Sequence, residues 1–194
     1  MNLPNRLTVL RACLVPVFVW LYLTDHMLWA LVVFATASLT DALDGRIARS
    51  RGLVTNFGKL MDPLADKVLV MSAMLCFVAT DYAPVTAVIL ILAREFLVTS
   101  IRSIAASQGV VIAADIWGKL KTVAQMLWIC VQLLSIGLTV TTTNAAGNMV
   151  TVTFSGLVFF LNGLAAVLLW AVVALSIFSA FHYIWKNRTL FGDM

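Results

Sequence analysis

Apolar residues fall into six long blocks separated by short polar breaks: Leu7–Leu23, Met27–Ala48, Leu60–Thr80, Pro84–Ala106, Trp117–Val140 and Val152–Trp185. A helix needs about 20 residues to cross the roughly 30 Å hydrocarbon core of a bilayer, and each block is long enough. In lipid a spanning backbone must satisfy its own hydrogen bonds, and blocks of this length suit helices rather than barrel strands. The last block is overlong, so it has to tilt, bend or project beyond the bilayer. The first, beginning around Arg6 and Arg11, resembles the positive start of a signal peptide. No small-residue cleavage pattern follows, so it is expected to stay as a helix. The opening "MNLPNRLT" is short and mildly amphipathic, suited to the membrane surface. Thr139–Thr143 with Asn144 reads as an outside loop, and no internal repeat is visible.

Composition narrows the class. The 194 residues are 62% hydrophobic and 11% charged, with a mean hydropathy of +1.00. Soluble domains are about half apolar and a quarter charged. The fold expected is therefore an all-α integral membrane protein with six transmembrane helices, one domain over 1–194 with no room for a separate soluble unit. Cys13, Cys76 and Cys130 lie in different apolar blocks without CxxC or Cys/His spacing, so buried small hydrophobes are expected, not disulfides or zinc.

The distribution of charge gives the orientation. The breaks near residues 25 and 81 and "TTTNAAGN" hold Asp25 and Asp81 but no Lys or Arg, and all 13 cations fall toward the other side. By the positive-inside rule that side is cytoplasmic, and six helices put both termini there. The formal net charge of +4 is not gathered into a soluble basic patch, so no nucleic-acid partner is expected.

One polar stretch interrupts this pattern. "TDALDGRIARSRGLVTNFGKLMDPLADK", from Thr40 to Lys67, carries four of the nine carboxylates and five of the 13 cations. Asp41 and Asp44 are three apart near the end of the second helix, while Asp62 and Asp66 are four apart at the start of the third. Each pair shares a helix face. Helices joined by a short loop are usually antiparallel neighbours, which lets the two pairs converge. Four carboxylates in one pocket repel unless protonated or bridged by cations. Hard oxygen ligands suit Mg²⁺ or Mn²⁺, and four of them can hold two ions. Gly45 and Gly58 clear space beside the acids, Ala48 is small, and Pro63 favours a helix start between Gly58 and Asp62. The competing reading is salt bridging of these acids with Arg46, Arg49 and Lys67 at the membrane edge. Ionisable residues at membrane depth are costly, and edge pairing does not require two acidic pairs.

The spacing Asp41-x2-Asp44-Gly45-x2-Ala48-Arg49-x8-Gly58-x3-Asp62-x3-Asp66 resembles, without a departure, the signature of the CDP-alcohol phosphotransferases. The resemblance implies a six-helix membrane fold, usually a homodimer, with two divalent ions, Mg²⁺ or Mn²⁺, on Asp41, Asp44, Asp62 and Asp66. It further implies that Asp66 is the base and that Gly45, Ala48, Arg49 and Gly58 receive the CDP moiety. The lipid substrate it implies, CDP-diacylglycerol, keeps its tails in the bilayer, and CMP is the product that leaves.

A second stretch, "AREFLVTSIRSIAASQGVVIAADIWGKLKTVAQM", bears on the acceptor. Arg94 lies deep in its helix, partnered by Glu95 or by a substrate anion. Arg102, eight positions on, turns roughly 80° around the helix, so both can look into one half-space. Lys119 and Lys121 point roughly 200° apart, so one of the two reaches the pocket more readily. Together the four can bind a phosphate; the plainer reading makes the lysines topology signals. These pieces, with "NLPNRLTVLR" and "DPLADKVLV", resemble the phosphatidylglycerophosphate-forming branch of the family, which implies glycerol 3-phosphate as the acceptor. Inositol-phosphate, serine and cardiolipin branches remain alternatives on the same fold. His26 and His182 are not expected in chemistry, and Asp115 is expected to pair with the nearby lysines, a substrate role being the alternative.

Other classes fit less well. A divalent-cation transporter would use the acids as its ion path, yet they sit at one membrane end and the halves show no matching broken helices. An inactive scaffold on the same fold is less attractive because all four aspartates are present.

Overall fold

The structure is a computed structural model. Its backbone is described over 3–51, 56–107, 115–143, 149–153 and 155–188, and its side chains over 10–40, 67–107, 115–139 and 156–188. Six helices follow the six apolar blocks: α1 (Leu3–Leu23), α2 (Met27–Arg51), α3 (Asn56–Ala79), α4 (Val85–Ser107), α5 (Ile116–Gly137) and α6 (Ser155–Lys186). Where the chain was expected to loop after α5, Thr139–Thr143 and Met149–Thr153 form a two-stranded antiparallel hairpin, β1 and β2, with Thr139 opposite Thr153. Threonine and valine supply most of both strands, and β-branched side chains favour a pleated backbone over a coil.

Other boundaries shift as well. The opening residues from Leu3 join α1 and are not a separate surface segment. Helix α3 starts at Asn56, ahead of the start inferred from Pro63, so that proline lies inside the helix. Cys76 is buried, but Cys13 is exposed, which departs from the expected burial. Position 13 falls on the outward face of α1, opposite the buried Phe18 and Tyr22 face.

Packing places the ends of the bundle. Helix α1 packs on α2 and α3, α2 on α5, and α6 on α5 and α4, while the described parts of α2 and α3 meet only slightly. The inward residues of α2 (Met27, Ala30, Phe34, Ala37) recur every three or four positions, as one helix face requires. They join Phe18, Tyr22, Phe77, Trp128 and Leu133 in a single core. The outward faces are also apolar: Phe159 is 82% exposed and Trp185 66%. Helices that are apolar all round are a mark of burial in lipid or in a large core. Two, Ile116–Gly137 and Gly156–Lys186, are long and apolar enough to cross a membrane among the described residues.

One end of the bundle collects the breaks that lack cations. The Tyr22 hydroxyl and Thr80 Oγ1 lie 2.6 Å apart, tying the end of α1 to the end of α3. Both adjoining turns use an aspartate with positive φ, Asp25 at 60° and Asp81 at 59°. Aspartate tolerates this left-handed conformation better than most side chains. Gly137, just before the hairpin, lies so close to Leu28 that an added Cβ would meet Leu28 Cδ2 at 2.9 Å. Missing side-chain bulk lets α5 approach α2 there.

Candidate active site

At the opposite end, α3, α4, α5 and α6 enclose a cavity of about 210 Å³. Lys67 from α3, Arg94 and Arg102 from α4, and Lys119 from α5 line it, against two carboxylates, Glu95 and Asp115. Among the described residues, four cations from three helices outnumber the two carboxylates of the lining. Ligand cavities for drug-sized molecules run from about 300 to 1,000 Å³, so this one fits a smaller anion-bearing molecule.

Arg94 is fixed from two sides. Its Nε donates to Ser179 Oγ on α6 at 2.9 Å, and its Nη1 donates to Glu95 Oε1 at 3.2 Å. Gly118 on α5 makes room for the same guanidinium, since a Cβ there would stand 3.1 Å from Arg94 Nη2. The wall beside Arg94 therefore has to be backbone. Substituting Gly118→Ala should push the guanidinium by a few tenths of an ångström and weaken anion binding. The expected result is a several-fold higher KM for the acceptor with little change in thermal stability, on the order of 1 kcal/mol or less of binding. Steady-state kinetics beside a melting curve check it.

Glu95 is the hub beneath the cavity. Its Oε1 accepts from Lys121 Nζ at 2.6 Å and from Arg94, and its Oε2 lies 3.8 Å from Lys67 Nζ. Lys67 also donates to Thr99 Oγ1, which joins α3 to α4 at the cavity wall. Lys121 is fully buried and donates as well to Gln125 Oε1 at 2.5 Å. It holds Glu95 from below and is not among the lining residues. The structure thus brings Arg94, Arg102 and Lys119 together and turns Lys121 inward, as the 200° offset between the two lysines foreshadowed.

Asp115 pairs differently from the expectation. Its Oδ2 lies 3.4 Å from His182 Nε2 on α6, and among the described residues the carboxylate forms no ion pair with Lys119 or Lys121. Asp115 has an extended backbone just ahead of α5 and makes no cap bond to its own helix, and its side chain reaches across to α6.

Sequence reasoning left out several residues of the cavity. Lys67 was read only as a salt-bridge partner, although its position directly after Asp66 in "DPLADK" was a usable signal. Ser179 and Tyr183 come from α6, in an apolar third whose polar positions gave no pattern. A glycine inside a helix, Gly118 in "GKLKT", was a further hint of close approach.

The aspartate signature lies at the same end on the backbone. Asp41 and Asp44 belong to α2, and Asp62 and Asp66 to α3. Their side chains, and those of Gly45, Ala48, Arg49 and Gly58, lie outside the described residues. Lys67 follows Asp66 directly and lines the cavity, so α3 carries the last aspartate position to the cavity edge. A donor set of four carboxylates at i, i+3 and i, i+4 spacings on two continuous helices fits hard divalent cations in its chemistry.

Residues 1–178 match the family model described as CDP-alcohol phosphatidyltransferase, and the chain belongs to that family. Among relatives, it is 37% identical over 202 residues to the CDP-diacylglycerol–glycerol-3-phosphate 3-phosphatidyltransferase of Bacillus subtilis (strain 168), across 96% of this chain and 95% of the relative. It is 33% identical over 193 residues to a protein of the same name from Rickettsia typhi (strain ATCC VR-144 / Wilmington), across 98% of this chain and 99% of the relative. A probable phosphatidylglycerophosphate synthase of Mycobacterium tuberculosis (strain ATCC 25618 / H37Rv) is 42% identical over 133 residues, across 64% of this chain and 62% of the relative.

Proposed function

We propose that this protein transfers the phosphatidyl group of CDP-diacylglycerol to glycerol 3-phosphate, giving phosphatidylglycerophosphate and CMP. The observation that carries this reading is the small cavity lined by Lys67, Arg94, Arg102 and Lys119, in a chain whose near-full-length relatives bear the name of that enzyme. A phosphate monoester is a compact dianion that guanidinium and ammonium groups bind by charge-assisted hydrogen bonds. Serine and unphosphorylated inositol offer no such anion to the four cations.

The chemistry divides between two neighbouring places. The cavity holds the phosphate of the acceptor and leaves its far hydroxyl directed toward the end of α3. The Asp66 carboxylate takes the proton of that hydroxyl as its oxygen bonds to the lipid-bearing phosphorus. The bond from that phosphorus to the oxygen of CMP breaks, and CMP departs with the electron pair. Asp41, Asp44, Asp62 and Asp66 would hold two divalent cations, Mg²⁺ or Mn²⁺, which supply charge neutralisation at the diphosphate. Gly45, Ala48, Arg49 and Gly58 receive the cytidine diphosphate. Arg94, braced by Ser179 and Glu95, orients the acceptor, and Lys119 and Arg102 add positive charge at the rim, with Lys121 acting through Glu95.

This reading places the protein in the cell membrane as six spanning helices, both termini and the active site on the cytoplasmic side, and as a homodimer. The support is the segregation of the cations in the sequence and the cation-poor turns at Asp25 and Asp81 at the other end of the bundle.

Purified protein in mixed micelles with CDP-diacylglycerol, Mg²⁺ or Mn²⁺ and a panel of alcohols tests the reading by CMP release. CMP should appear with glycerol 3-phosphate and stop when the cations are chelated. Release with serine or inositol phosphate but not with glycerol 3-phosphate would remove the acceptor assignment. Manganese uptake into proteoliposomes without lipid product would favour a transporter.

A further inference from the structure

Two residues that line the cavity each carry a buried polar atom that the protein leaves unanswered. Tyr183 on α6 is 4% exposed and lines the cavity. Among the described residues its hydroxyl has no hydrogen-bond partner. Its ring packs with Val98 and Ile101 of α4, which fixes where the hydroxyl sits. The second atom is Asp115 Oδ2, buried and likewise without a hydrogen bond among the described residues. Asp115 occupies the N-cap position of α5, where a carboxylate ordinarily accepts from the first-turn amides, yet its side chain makes no cap bond. The His182 ring nitrogen 3.4 Å away is a charge neighbour only when protonated.

Buried polar groups are hydrogen-bonded in nearly all proteins, so a donor and an acceptor left open in one cavity point to a ligand that answers both. We infer that Tyr183 and Asp115 are specificity-determining contacts for the acceptor. The Tyr183 hydroxyl donates to an oxygen of its phosphate, and Asp115 accepts from the hydroxyl that does not react. This rests on the proposed acceptor reaction and goes beyond it by naming what the cavity reads besides charge.

The carboxylate carries the argument. Four cations would bind any small phosphate, and a carboxylate in their midst repels phosphate oxygens. Of the two carboxylates in the lining among the described residues, Glu95 is already held by Lys67, Arg94 and Lys121. Asp115 is the one with an oxygen to spare. A phosphate monoester at neutral pH offers a donor only through hydroxyls on its alcohol, so the cavity selects a polyol phosphate over a simple alkyl phosphate.

The test uses the full-length enzyme and two acceptors, glycerol 3-phosphate and 3-hydroxypropyl phosphate, which lacks the middle hydroxyl. The unaltered enzyme should prefer glycerol 3-phosphate by roughly 10- to 100-fold in kcat/KM, the range for a hydrogen bond to a charged group. Asp115→Ala should bring the two acceptors close together, chiefly by loss on glycerol 3-phosphate. Asp115→Leu, similar in size but unable to accept a hydrogen bond, serves where the alanine variant fails to fold. Tyr183→Phe should raise KM for both acceptors about 5- to 10-fold, leave KM for CDP-diacylglycerol unchanged, and keep or raise the melting temperature. Full discrimination in a folded Asp115 variant, or an unchanged acceptor KM in Tyr183→Phe, overturns the inference while the reaction itself stands. An unaltered enzyme inactive with glycerol 3-phosphate but active with another alcohol sinks the reaction reading and this inference together.

Discussion

Asp66→Asn is expected to lower CMP release by about 100- to 10,000-fold, the range for loss of a general base. The carboxamide has nearly the shape of the carboxylate but cannot take a proton from the attacking hydroxyl. Its position supports the assignment: α3 continues without a break from Asn56 to Ala79, and the next residue, Lys67, reaches the cavity wall and bonds Thr99. On the proposed reading, a hydroxyl of an acceptor held by that wall lies near the Asp66 position of α3. Because the cavity itself is intact in the variant, KM for glycerol 3-phosphate should change little while kcat collapses. Titrating Mg²⁺ over a wide range separates the two ways Asp66 can matter. Activity that returns at high Mg²⁺ would mark a ligand role alone. A variant that keeps full turnover at ordinary Mg²⁺ would remove the base assignment.

Glu95→Gln should be the most damaging change outside the aspartate signature. Among the described residues Glu95 is the one anion among Lys67, Arg94 and Lys121, and Lys121 is fully buried beneath it. Removing one partner of a buried ion pair strands the other charge, a loss of about 3–5 kcal/mol. The glutamine oxygen can still accept one bond but cannot offset three positive charges. The expected result is a lower melting temperature in detergent and a raised KM for glycerol 3-phosphate, because Arg94 loses one of its two braces. The cations are not equal in this cluster. Lys121→Met should be milder, since Glu95 keeps Arg94 and Lys67. The double variant Glu95→Gln/Lys121→Met should recover much of the stability lost by Glu95→Gln alone, because no buried charge is then stranded. Melting temperatures of the two single variants and the double variant form the cycle that measures this coupling. Additive losses would show that the Lys121–Glu95 contact does not stabilise the fold.

Much of the fold was legible along the chain. The apolar blocks gave all six helices to within a few residues at most ends, because a helix that must stay apolar over about 20 residues leaves an unmistakable run. The hairpin was missed because Thr139–Thr143 and Met149–Thr153 are each five residues long, and short runs rich in threonine resemble loops until they pair. Asp115 was assigned to the wrong partner for a similar reason. Sequence proximity put it beside Lys119 and Lys121, whereas the packing of α6 against the start of α5 brings His182 to it.

The family, the four aspartates and their spacing were fixed by the order of residues, since helical periodicity alone puts i, i+3 and i, i+4 carboxylates on one face. The folding of distant segments onto one another decided the rest. It sets Lys67, Arg94, Lys119, Ser179 and Tyr183, drawn from four helices, around one small cavity. It turns Lys121 inward as the support of Glu95. No local pattern could show this, because which face of a helix meets ligand, lipid or another helix depends on neighbours far away in the chain.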